Sequence, residues 1–185
     1  MIMEDETPSG YKPIQDYVLK TLGLAMIAGQ GVERLLSSCL TFPLHDEPLQ
    51  AVEQVQHLLE RHSKQTLGQL LKSLRSRVDL HPAFDDKLDS FLQHRNIIAH
   101  RLHDVPGGYD LQSDEGRKRL KVFLLQYMVN GHIVSMVLVG VLREWTRQVG
   151  LETPAEHHLG PRMQDHLDAN VISNLEDFIR SNKTI

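Results

Sequence analysis

The chain has 185 residues, enough to bury one hydrophobic core without disulfide or metal staples, so a single folding unit is expected. A formal net charge of −4 argues against a generally basic surface that coats nucleic acid, although it leaves room for a local basic site. Cys39 is the single cysteine, which excludes an internal disulfide framework.

Residues 1–13 are acidic and carry Pro8, Gly10 and Pro13, so they read as a disordered leader. They show neither the basic nor the apolar region of an export signal, and a cytoplasmic location is expected. Residues 14–40 place Val18, Leu22, Ala25, Ile27, Val32, Leu35 and Leu36 at helical spacing, and Pro43 stops the helix. A second helix is expected after Asp46, with Pro48 in its first turn and Leu49, Val52, Val55, Gln56 and Leu59 on one face. Residues 66–74 form a shorter one, with Leu67, Leu70, Leu71 and Leu74 apolar and Gly68 admitting a close neighbour.

His81-Pro82 opens a fourth helix that turns Phe84, Leu88, Phe91, Leu92, Ile98 and Leu102 toward a core, and Pro106-Gly107-Gly108 closes it. A long helix then runs from the N-cap Ser113 to about Val149, with Asp114 and Glu115 in its first turn and with Gly131 and Gly140 bending it or admitting a neighbour. Its apolar stretch, residues 120–142, is interrupted by Lys121, Gln126, Asn130, His132 and Ser135 and reads as a buried helix, not a membrane span. Residues 151–185 are broken by Pro154 and Gly160-Pro161, with a short helix over 171–180, and form a helical C-terminal appendage. No strand alternation stands out, so the expected fold is all-α: an antiparallel bundle of four to five helices over residues 14–150.

The chemically notable stretch is His94-Arg95-Asn96-Ile97-Ile98-Ala99-His100-Arg101. Asn96 and His100 are four apart and share a helix face, whereas Arg95 lies about 140° from His100. The spacing therefore suggests a composite site in which a two-fold axis brings two copies of the helix together. These residue types suit metal-free RNA cleavage: His100 as acid/base, Arg95 stabilising charge on phosphorus, and Asn96 holding substrate or imidazole. RNA would be distinguished from DNA by its internal 2′-hydroxyl nucleophile.

Other groups weigh less. His94, His100 and His103 lack a carboxylate at matching helical positions, so no metal site and no cofactor are expected. Glu33 reads as a simple ion pair or solvated face, with orientation of Arg95 as the alternative. Arg117, Lys118, Arg119 and Lys121, and separately Lys72, Arg75 and Arg77, read as solvated helix surface before RNA-tracking patches.

Arg95-Asn96-Ile97-Ile98-Ala99-His100 resembles the Arg-x4-6-His signature of HEPN domains, with Asn directly after Arg as in many members. Gly23-x-Ala25 through Glu33-x-x-Leu36, and Thr66-Leu67-Gly68-Gln69-Leu70-Leu71, extend the similarity over about residues 14 to 145. The resemblance implies a homodimeric helical bundle whose paired motif helices form a cleft. It implies a metal-independent endoribonuclease with an RNA substrate, in toxin-antitoxin, phage-defence or RNA-processing systems, with an antitoxin protein as partner in one branch. That branch often carries Tyr two residues after the motif histidine; Leu102 stands there in this chain, so regulation by modifying that tyrosine is not expected. The alternative reading is a non-catalytic module for dimerisation, nucleotide binding or regulatory interaction.

Overall fold

The computed structural model describes residues 11–45, 51–151 and 179–181. Five α-helices lie among them: α1 (Tyr11–Thr41), α2 (Val52–Ser63), α3 (Leu67–Arg75), α4 (Pro82–His100) and α5 (Asp114–Gln148). The protein is thus an all-α bundle, and its ends and turns follow from local chemistry. Thr66 caps α3 by accepting from the Gln69 amide while the Gln69 side chain accepts from the Thr66 amide, so two otherwise orphaned N–H groups are satisfied reciprocally. Pro82 stands at the start of α4, where its missing N–H costs nothing, and the His81 ring accepts from the Ala83 amide. The Ser113 hydroxyl caps α5 through Gly116.

The core around Leu36, Phe84, Phe91, Leu124 and Tyr127 is built from α1, α4 and α5, with Leu67, Leu70, Leu71 and Leu74 of α3 buried in the same cluster. Helix α4 runs antiparallel to α5: Ser90 bonds Asn130 at 2.9 Å, Phe91 stacks on Tyr127 at 4.9 Å, and His94 meets the Phe123 ring at 4.7 Å. Contacts between α1 and α5 instead advance in the same direction. Lys121 lies over the Tyr17 ring, Cys39 Sγ donates to the Leu138 carbonyl, and Phe42 meets Trp145 at 5.3 Å. The first and last of these helices are therefore parallel, while α4 runs antiparallel to α5. The α2–α3 excursion makes this possible by returning to the end of α1. His62 at the end of α2 bonds the Thr41 hydroxyl at 2.9 Å, and Arg77 donates to the Leu40 and Leu44 carbonyls, satisfying acceptors that α1 leaves open at its C-terminus.

Several sequence expectations change. Residues 11–13 belong to α1, while residues 1–10 lie outside the described part. Leu58 and His62 are the buried residues of α2, whereas Val52 and Leu59 are exposed, so its inward face is turned one position from the expected one; Pro48 and Leu49, expected in its first turn, lie outside the described residues. A Cβ on Gly68 would meet only the Thr66 hydroxyl at 4.0 Å, so no helix packs against it, whereas one on Gly131 would lie 2.9 Å from the Phe91 ring. The expected C-terminal helix is contradicted at its end: Ile179–Ser181 is a strand, β2, that pairs antiparallel with β1 (Val78–Leu80), Val78 facing Ser181 and Leu80 facing Ile179. Three residues per strand are too few to show an alternating pattern in sequence. The rest of the expected helix lies outside the described residues.

Helix α5 is long and apolar enough to cross a membrane by length and composition. Its Leu120, Leu124, Tyr127, Val134 and Leu138 are instead buried against the other helices, as expected of a core helix.

Candidate functional site

The site is built where α1 crosses α4 above Tyr127 of α5. Helix α4 ends at His100, which places that imidazole at an exposed helix terminus, while Ile97 and Ile98 anchor the same turn in the core. One turn earlier Arg95 leaves the helix on the side facing α1. Its Nε donates to Glu33 Oε1 at 2.8 Å, with both side chains about three-quarters covered. Its NH1 group reaches His100 Nε2 at 3.3 Å. A guanidinium has only donors, so the imidazole nitrogen in this contact is the acceptor, its lone pair engaged by the Arg95 N–H.

Arg95 and His100 are thus brought together within one chain, although helix spacing alone sets them on different faces. The angle of about 140° between their Cα positions is spanned by the length of the arginine side chain, a reach that face-sharing arithmetic omits. Asn96 shares the His100 side of α4 and is half-buried, and both it and His100 lie outside the cleft lining, at its edge beyond Arg95. Glu33, expected as a simple ion pair or solvated face, does pair, and its partner is Arg95. A single partly covered ion pair adds on the order of 1 kcal/mol to stability, so its larger consequence is to hold one guanidinium rotamer.

Beside the pair opens a cleft of about 350 Å³, mouth included, lined by Met26, Gly29, Gln30, Glu33, Arg95, Ile98, Ala99 and Tyr127. Tyr127 is 1 % exposed, and burial, reinforced by the Glu33 carboxylate, pushes its hydroxyl up to about 12, so it stays protonated. Gly29 permits this arrangement, since a Cβ there would collide with the Tyr127 hydroxyl. Sequence reasoning missed Tyr127, Met26, Gln30 and Gly29. A signal existed for one of them: Gly29 and Gly31 interrupt an otherwise well-formed helix, which points to close backbone approach.

The remaining candidates do other work. His94 faces inward against Phe123 with its Nδ1 buried and unbonded, and burial lowers its basicity. Among the described residues no three His, Cys, Asp or Glu side chains gather as a metal-binding group. Arg117 is 3 % exposed, donates to the Leu111 carbonyl and pairs with Asp114; Arg119 donates to the Gly108 carbonyl. Both hold the α4–α5 loop in place, Arg117 from a buried position and Arg119 from a partly exposed one. Arg75 pairs with Asp85 and Asp89, which joins α3 to α4. No protein-family model matches the chain, and no curated protein or solved structure matches it.

Proposed function

We propose that this site belongs to a metal-independent endoribonuclease of the HEPN kind, a cytoplasmic homodimer acting as a toxin or phage-defence component. The observation that carries the reading is Arg95, anchored by Glu33 and held 3.3 Å from the acceptor nitrogen of His100. A scissile phosphate arriving at the cleft would draw the planar guanidinium onto its oxygens, a bidentate match that a lysine cannot make. The imidazole lone pair, released from Arg95, would then take the proton of the adjacent 2′-hydroxyl as that oxygen attacks phosphorus, giving a 2′,3′-cyclic phosphate as the 5′-oxygen leaves with a proton. One chain supplies one such imidazole. The His100 of a second copy would serve as the acid, with Asn96 positioning substrate and an antitoxin protein restraining the dimer in cells.

A second reading is favoured by the exposed Met26 and Ile27, the latter 66 % accessible, beside the cleft. Apolar side chains at that place suit a non-catalytic dimerisation or regulatory module equally well. Cleavage separates the two. The purified protein is expected to cut single-stranded RNA in the presence of chelator and leave cyclic phosphate ends, with His100→Ala lowering the rate by about 10²- to 10⁴-fold. Equal cutting by His100→Ala defeats the mechanism, and absence of cutting by the wild-type dimer favours the interaction module.

A further inference from the structure

We propose that the cleft between α1 and α4 is a base-recognition subsite that selects guanine in single-stranded RNA next to the bond that is cut. The inference rests on the RNA-cleavage reading above and goes beyond it by assigning a base preference. Met26, Gln30 and Glu33 occur at i, i+4 and i+7 of α1 and so form one wall. Ile98 and Ala99 of α4 form the opposite wall, and Tyr127 lies beneath. The pocket is apolar on its flanks and polar at one edge, the combination that takes a flat ring between side chains and reads its perimeter. The cleft is small and open at its mouth, too small for a duplex.

The polar edge determines which base. Glu33 uses Oε1 to accept from Arg95, yet a carboxylate offers about four lone-pair positions and can accept more donors. Guanine presents N1–H and N2–H₂ side by side on its Watson–Crick edge, two parallel donors for a carboxylate, with O6 beside them as an acceptor for the Gln30 amide. Adenine, cytosine and uracil each place an acceptor where one of those donors must be, and an acceptor facing a carboxylate is repelled. Arg95 belongs to both the cleft lining and the His100 contact, so a base seated here lies beside the group assigned to the phosphate.

The test uses the full chain and four twelve-nucleotide single-stranded RNAs, adenine- or uracil-rich, that differ only in one central base. The readouts are kcat/KM, the cleavage position, and binding by gel shift to the His100→Ala protein. The expected result is a preference for the guanine substrate of about tenfold or more, the size of one good base-edge contact, with the cut next to the guanine. Gln30→Ala and Glu33→Gln are expected to shrink the ratio of guanine to adenine kcat/KM, a ratio insensitive to general loss of active protein. Thermal melts of each variant verify folding. Cutting and binding without base preference overturns the subsite while the ribonuclease reading stands. A preference that survives both substitutions also overturns it, and failure of every RNA to bind or be cut removes both readings together.

Discussion

Gly29 lies where α1 passes over Tyr127, and the fit depends on its missing side chain. The ring cannot retreat, because it is buried and stacked at 7° against Phe91. Gly29→Ala is therefore expected to cost about 1–3 kcal/mol through overpacking, despite the better helix propensity of alanine. Adding Tyr127→Phe, which removes the colliding oxygen, is expected to restore part of that loss; urea denaturation of the two single variants and the double variant measures the coupling. Equal costs with and without the hydroxyl would show that the contact is not the cause. At this scale the sequence was partly legible. The motif placed Arg95, Asn96 and His100 on one helix, whereas Glu33 orienting Arg95 stood only as the alternative reading, because their pairing joins residues 62 apart and no local pattern encodes a contact between helices.

Helix boundaries were the most legible feature, because caps and breakers act over three or four residues. Thr66, with Gln69 three positions on, and Ser113, with acidic residues after it, start their helices where local rules place them. Thr66→Ala is expected to lower stability by about 1 kcal/mol, with Thr66→Ser close to wild type, as read from thermal melts. Facing was harder to read. Val52 and Leu59 are apolar yet exposed, because a short helix of mixed composition takes its orientation from what it meets, in this case the end of α1 through Leu58 and His62.

For the molecule as a whole, two inward histidines connect acidity to stability. Burial pushes His62 below the ordinary histidine value, reinforced by Arg61 and Arg77, and burial alone does the same for His94. The unfolded chain therefore binds protons near pH ~6.5 that the folded chain resists. Stability is full above that value and is lost as the pH falls through it toward the lower folded values. The melting temperature is expected to drop between pH 7.5 and 5.0, and replacing both residues, as His62→Asn with His94→Phe, is expected to flatten that slope. An unchanged slope in a folded double variant would assign the effect to other groups.

The all-α class was readable from periodicity across nearly the whole chain. The parallel course of α1 and α5 was not, since direction depends on how α2 and α3 carry the chain back. At the far end of that parallel pair, Phe42 and Trp145 meet at 5.3 Å, and Trp145 is the chain's single tryptophan. Its emission therefore reports on one place, the docking of two helices about a hundred residues apart in sequence. Followed beside circular dichroism, which sees helix content everywhere, this intrinsic optical signal separates closure of the bundle from formation of its parts.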